Sequence, residues 1–258
     1  MRQRNADDAA PLPAGGAHWL DTDLPGVAEN LALDEALLEE AHDDRLHQAL
    51  VRTWMASEPT VVLGSSSRIE EEVDVAACAR LGVRIVRRPS GGLTVLLGPG
   101  CLMWSVVVRH VQAAPAIDRV HAEMLEPLCA ALCAAGRPVV RRGSSDLAIA
   151  VDGLERKVSG NALRVRRHAV LYHGTLLDSF DLPLVAQVLR HPPREPGYRA
   201  GRGHGDFLAN LEMGRPALEA TVRAAFGAEQ FRSAWPDQRV AALVRERYAD
   251  PAWTCRLR

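Results

Sequence analysis

The chain predicts an α+β fold, a mixed and mostly antiparallel sheet flanked by helices. Three observations carry that prediction. Short apolar runs such as Thr60–Leu63 and Leu147–Val151 have the length of strands. Two longer stretches, Ala28–Ala41 and Asp118–Ala135, have helical periodicity. Strands alternate with helices, yet hairpin turns such as Gly98–Pro99–Gly100 sit among them, which points away from a purely parallel sheet.

The elements follow in order. Residues up to about Ala17 are Ala, Pro, Gly and Asp, the composition of a poorly ordered leader, leaving residues 18–258 as one domain. Ala28–Ala41 sets Leu31, Ala32, Ala36, Leu37 and Leu38 in an apolar stripe, with its acids expected on the opposite face. Leu50–Trp54 and Thr60–Leu63 read as strands around Glu58–Pro59. Asp74 opens a helix that Gly82 stops, and Val83–Arg87 is the next strand. Strands follow at Thr94–Leu97 and Cys101–Val108. The helix Asp118–Ala135 ends at Gly136, and Pro138–Val140 begins another strand. Ala162–Leu177 reads as two strands about Arg164–Arg167, and Asp181–Arg190 as a helix. A long basic loop runs from His191 through Gly203, and a loop of that length in a compact domain is usually functional or disordered. Helices at Gly214–Phe226 and Asp237–Tyr248 close the chain.

At 258 residues and 47% hydrophobic, the chain can bury one large core. A net charge of -1 gives no global pull toward nucleic acid or an anionic membrane. No apolar run is long enough to span a bilayer, and the start has no apolar signal segment. Five cysteines, odd in number and without framework spacing, fit a reducing compartment. A cytoplasmic enzyme is the expected class.

Lys157 is the only lysine; every other fixed basic side chain is arginine. A guanidinium cannot replace an ammonium where a compact point charge must sit against a phosphate or carbonyl. Lys157 follows the turn Asp152–Gly153 and precedes Ser159–Gly160–Asn161, small polar residues that let a ligand approach backbone. Arg87–Arg88–Pro89–Ser90–Gly91–Gly92–Leu93–Thr94 follows a strand, and its backbone N–H groups and paired arginines could converge on an anion. Taken alone, this stretch reads first as an ordinary hairpin turn with solvated arginines. Asp146 reads as a turn former or a magnesium ligand, and His173 alone as a structural histidine.

Together these pieces resemble the lipoate-protein ligase A group, within the superfamily of biotin ligases, lipoate ligases and octanoyltransferases. The resemblance spans about Leu31–Leu211. It rests on Arg87–Gly92, Ser145–Asp146–Leu147, Asp152–Gly153 with Lys157–Ala162, His173–Leu177, Pro193–Arg199 and Asn210–Leu211. It implies ATP–Mg²⁺-dependent activation of lipoate or octanoate to an acyl-AMP. Transfer to a lysine of a lipoyl-domain protein follows, of the 2-oxoacid dehydrogenase E2 or glycine cleavage H protein type. By the same carry-over Lys157 is catalytic. Arg87, Arg88, Ser90, Gly91, Gly92, Thr94, Ser159, Gly160, Asn161, Ala162, His173, Gly174 and Thr175 bind substrate or nucleotide, and Asp146 lies near magnesium. Strand residues around Val95 and Trp104 are expected to form an apolar tunnel for the acyl tail.

Three departures stand out. Leu93 replaces a family glycine, Met103 stands where relatives generally carry Asn, and too few residues follow Leu211 for the accessory domain of long ligases. A separate accessory subunit is the expected substitute. The alternatives are an ATP-independent octanoyl- or lipoyltransferase of the same fold and a non-catalytic lipoate- or lipoyl-domain-binding protein. The transferase needs an activated thiol, and neither Gly143–Asp146 nor His191–Pro193 holds one, so the ligase is the preferred expectation. A nucleic-acid module lacks aromatic residues interleaved with the arginines.

Overall fold

The computed structural model describes residues 16–110 and 115–257. The expected leader lies almost wholly outside them. The elements are β1 (Ala17–Leu20), α1 (Val27–His42), β2 (Ala49–Met55), β3 (Thr60–Leu63), α2 (Ile69–Glu72), α3 (Val75–Leu81), β4 (Arg84–Arg87), β5 (Val95–Leu97) and β6 (Cys101–Arg109). They continue as α4 (Ile117–Ala134), β7 (Val140–Arg142), β8 (Asp146–Val151), β9 (Leu154–Val165), β10 (Ala169–Leu177) and α5 (Leu182–Val188). The last are α6 (His204–Phe207), α7 (Arg215–Ala225), β11 (Gln230–Arg232), α8 (Asp237–Leu243) and α9 (Pro251–Thr254).

Eight strands form one sheet in the order β11-β1-β2-β6-β10-β9-β8-β7, and β4-β3-β5 form a second. β1 runs parallel to both β2 and β11, and β3 to β4; the other pairs are antiparallel. The α+β expectation with a mixed, mostly antiparallel sheet therefore holds. Alternation along β6 explains the layering. Cys101, Met103 and Val107 face the core beneath α1 and the small sheet, whereas Leu102, Trp104, Val106 and Val108 face the core beneath α4 and α7. A central strand covered on both faces reads as a nearly continuous apolar run, interrupted here between Cys101 and Val108 by Ser105.

Two expectations change. Two of the acids of α1 do not face water: Asp34 and Glu35 are buried, paired with Arg52 and with Arg247 and Tyr248, whereas Glu29, Glu39 and Glu40 are half-exposed. An apolar sheet face needs such pairs when a charge must enter it. Trp104 supplies no tunnel wall, because it lies on the far face, stacked against Phe226.

The C-terminal segment closes the small sheet through Arg87, which was expected to bind substrate. Its guanidinium is fully buried and donates to the carbonyls of Thr254 (3.0 and 2.8 Å), Gly64 (2.7 Å) and Ser67 (2.7 Å). Trp253 Nε1 donates back to the Arg87 carbonyl at 2.9 Å. No donor is left for a ligand. Arg87→Met should therefore cost about 3 kcal/mol of stability in urea unfolding, since hydrogen bonds to a charged group are lost and buried carbonyls are orphaned. A loss below about 0.5 kcal/mol would contradict this structural role.

Candidate functional site

Lys157 sits on β9, opposite Ala148 of β8, where the β8–β9 register shifts between Leu147 and Ala148. A bulge re-aims the side chains that follow it. Here Lys157 lies over Gly160: a Cβ on Gly160 would come within 2.8 Å of both Cε and Nζ. Lys157 Nζ meets Asp146 Oδ1 at 2.8 Å, with the carboxylate buried and 26% of the lysine side chain exposed. The second Asp146 oxygen accepts from the Tyr198 hydroxyl at 3.0 Å. Burial first, and then the Asp146 charge, push the Tyr198 phenol far above its usual range. It is a fixed donor.

Tyr198 belongs to the segment expected as a long loop. That segment is ordered as a strap, with a 3₁₀ turn at Gly197–Arg199 followed by α6. Tyr198 packs on Phe207 (ring centroids 5.1 Å), with Arg199 over the same ring. Arg202 donates to the carbonyls of Glu155 and Tyr198 at 2.9 and 2.7 Å. Ala209 N donates to the Lys157 carbonyl at 3.0 Å, so the strap returns alongside β9.

On the other wall, Arg88 is spent on its own loop. It donates to the Val62 carbonyl (3.0 Å), Ser90 Oγ (3.0 Å), the Gly91 carbonyl (2.7 Å) and the Leu93 carbonyl (2.8 Å). Burial pulls its guanidinium down to about 10. It shapes the Gly91–Gly92 wall and leaves no free fork for phosphate. Ser90 Oγ lies 2.6 Å from His173 Nε2, and His173 Nδ1 lies 3.3 Å from Asp34 Oδ2. Asp34 Oδ1 accepts from Arg52 (2.8 Å) and Ser105 (3.0 Å). Burial alone would raise the Asp34 carboxyl, but the His173 and Arg52 contacts hold it below the usual carboxylate range. Thr94 N and Oγ1 both donate to Glu72 Oε2 at 2.7 Å.

These walls enclose a cavity of about 970 Å³. Of the expected site residues, Lys157, Asp146, Arg88, Gly91, Gly92, Thr94, Gly160, Asn161, Ala162, His173, Gly174 and Thr175 line it. Arg87, Ser90 and Ser159 do not; each is fully buried, and Ser90 acts through His173 and Arg88. Gly174 is required by a close approach, since a Cβ there would fall 1.6 Å from Asn161 Oδ1. Asn161 in turn holds the Ser145 carbonyl at 2.8 Å. The apolar lining comes from Leu31, Val62, Val95, Leu96, Leu97, Met103, Leu177, Phe180, Val185 and Leu189, a surface suited to a hydrocarbon arm. Sequence reasoning missed Asp34, Glu72 and Tyr198. The one signal for Tyr198 was its place in Pro193–Arg199.

Asp146 does not fit a protein-built magnesium site. It is a single carboxylate with both oxygens engaged, and among the described residues no three His, Cys, Asp or Glu side chains could hold a metal.

Residues 26–226 match the family model of the lipoyl protein ligase A/B catalytic domain. The chain belongs to that family. The chain is 33% identical to octanoyltransferase LipM of Carboxydothermus hydrogenoformans, over 63% of this chain and 65% of the relative, so the match spans just under two thirds of that protein. LipM of Symbiobacterium thermophilum is 29% identical over 81% of this chain and 83% of its own. Among solved structures, a bipartite lipoate protein ligase from Thermoplasma acidophilum, studied with its E2 lipoyl domain, has the same fold. It aligns with a TM-score of 0.78 at 21% identity, over 94% of this chain and 97% of that one. A lipoate-protein ligase A bound with ATP aligns equally well, with a TM-score of 0.78 at 22% identity over 94% and 100%.

Among the described residues of this member of the lipoyl protein ligase A/B family, no cysteine lines the cavity. Cys101 is fully buried, and burial pushes its thiol up to about 12. Cys129 and Cys133 point to the Val139 carbonyl, at 3.1 and 3.4 Å. Among the described residues no helix is long and apolar enough to cross a membrane.

The bed under Lys157 can be probed without touching the lysine. Gly160→Ala meets only the flexible end of that side chain, so stability should change by less than about 1 kcal/mol. The ammonium must move, and any acyl transfer that depends on Lys157 should fall by roughly 10- to 100-fold, as misplacing a catalytic group by about 1 Å does. Unchanged transfer in a folded Gly160→Ala protein would show that the Lys157 position is irrelevant.

Proposed function

We propose that this chain moves a medium-chain acyl group, octanoyl or lipoyl, from an activated donor onto a lysine of a lipoyl-domain protein. The observation that carries the proposal is one ammonium, Lys157, on the wall of a cavity whose lining is otherwise largely apolar. Attack of an amine on an acyl carbonyl builds negative charge on the carbonyl oxygen. A fixed cation in a partly desolvated site stabilises that charge more than it stabilises the ground state. Gly91, with open space where a Cβ would stand, would let backbone come close to the reacting carbonyl, and the aliphatic walls would hold the tail.

The names of the relatives favour an octanoyltransferase, which in this reading takes a thioester donor, over the ATP-dependent ligase preferred from sequence. With no thiol on the cavity wall, the acyl group in this reading passes directly from the donor to the acceptor amine. The missing thiol is also the observation that favours the second reading. An adenylating ligase needs no thiol, because ATP activates the carboxylate before the acceptor arrives. In that case Lys157 would contact the α-phosphate.

Both readings are tested by intact mass of a purified lipoyl domain. It is incubated with this protein and either octanoyl thioester, or octanoate or lipoate with ATP and Mg²⁺. An adduct from thioester alone is expected. An adduct only with ATP replaces the transferase by the ligase, and none in any tube removes acyl transfer. Lys157→Arg should lower the productive rate by about 100- to 1,000-fold, the loss typical of an oxyanion donor. A wild-type rate would sink the assignment.

A further inference from the structure

We propose that Arg199 is an anion-binding residue of the cavity, and that the anion it takes is a phosphoryl group carried by the acyl donor. Arg199 follows Tyr198 on the strap; it lines the cavity, yet only 5% of it is exposed. Its Nε donates to the Arg202 carbonyl at 2.9 Å and lies 3.4 Å from Glu195 Oε2. Its guanidinium carbon stands 4.8 Å from the centre of the Phe207 ring. These contacts fix the plane of the fork and satisfy one edge of it. Nη2 is buried and meets no acceptor among the described residues. A buried donor left unpaired is costly, and the large majority of such groups have a partner. Of the buried side-chain polar atoms without a partner among the described residues, this one alone belongs to a residue of the cavity wall.

The surroundings select the sign of the ligand. Arg194, His204 and Lys157 line the cavity with Arg199, and the two carboxylates beside them are already engaged. Asp146 is held by Lys157 and Tyr198, and Glu195 by Arg199, by His191 at 3.2 Å and by the Gly201 N–H at 2.8 Å. Burial first, and then the charges of Arg199, His191 and Lys157, pull the His204 imidazole below its usual range. An anion here would relieve that crowding of basic groups and accept from Nη2. Neither a thioester nor an adenylate offers a free carboxylate, but both bring phosphate: on a nucleotide, or on the pantetheine arm that carries acyl thioesters. A planar, weakly hydrated guanidinium suits a phosphoryl oxygen. Arg88 on the opposite wall cannot serve, since its donors are spent. Tyr198 and Arg199 share one 3₁₀ turn, so the bond to Asp146 and the phosphoryl contact would be set by the same segment.

The phosphoryl identity rests on the transfer reading; the anion site rests on Arg199 alone. Titration calorimetry measures the binding of AMP beside adenosine, and of 4′-phosphopantetheine beside pantetheine. The proteins are wild type, Arg199→Met and Arg199→Lys. Methionine keeps the packing on Phe207 and removes every donor, whereas lysine keeps the charge. In wild type one phosphorylated ligand should bind about 10- to 100-fold more tightly than its unphosphorylated counterpart, the range of a hydrogen bond to a charged group. The pair that discriminates names the source of the phosphate. Arg199→Met should erase the difference and leave the unphosphorylated ligand bound as before, and Arg199→Lys should restore part of it. Equal binding within both pairs in wild type overturns the inference, and that result needs no variant to fold. Full discrimination surviving in folded Arg199→Met overturns it too, because the phosphate would then belong to another group. A wild type that discriminates, yet modifies no lipoyl domain with any donor, upholds the anion site and counts against the transfer reading instead.

Discussion

A buried carboxylate organises this fold. Asp34 sits on α1 beneath the sheet and is almost wholly inaccessible. It is bonded by Arg52 from β2, Ser105 from β6 and His173 from β10. Desolvating a charge to that degree is costly unless every lone pair finds a donor. Here the requirement fixes one helix and three strands in a single arrangement. The chain of contacts continues from His173 to Ser90, and from Ser90 to Arg88, which holds the Gly91–Gly92 loop. The loop is therefore positioned by a side chain on a helix that starts more than fifty residues earlier in the chain.

That relay explains a division of labour among the cations. Arg52, Arg87 and Arg88 are buried, and their planar forks satisfy carbonyls and carboxylates from several directions at once. An ammonium has no such fork, and lysine is absent from all these places. The single lysine stands where one point charge, and not a network, is needed. Its contacts are few: a carboxylate beside it and glycine beneath it.

What was legible in the sequence follows the same line. Local chemistry was readable. The helix begun at Asp74 and stopped at Gly82 was bounded by its caps, and the β6 and β10 runs by length and apolarity. The Lys157 stretch was readable as a site segment because small polar residues cluster there, the His173–Thr175 stretch only through the family resemblance, and both line the cavity. Long-range pairing was not readable. Arg87 looks like a ligand in sequence because nothing nearby hints that Thr254, 167 positions on, will take its donors. Asp34 looked like a residue of a solvated face because its partners lie on three other elements. Strands β1 and β11 escaped notice because they are short; β1 becomes a strand by pairing with β2 and β11, and β11 by pairing with β1.

The cavity wall also says where activation must reside. A thiol in the wall would let the protein hold the acyl group covalently and wait for the acceptor. Among the described residues this wall has none, so in the proposed transfer the acyl carbonyl would be in an activated form when the acceptor lysine meets it, whether the activating group is a thiol or an adenylate. The protein's share is then orientation and charge, which rigid strands supply better than loops do. Lys157 lies on a strand in a twelve-residue run, its partner Asp146 begins the neighbouring strand, and the strap pins both from the open side. A site of this construction gains nothing from a mobile nucleophile. In the proposed transfer it would depend on keeping one cation still beside the reacting carbonyl.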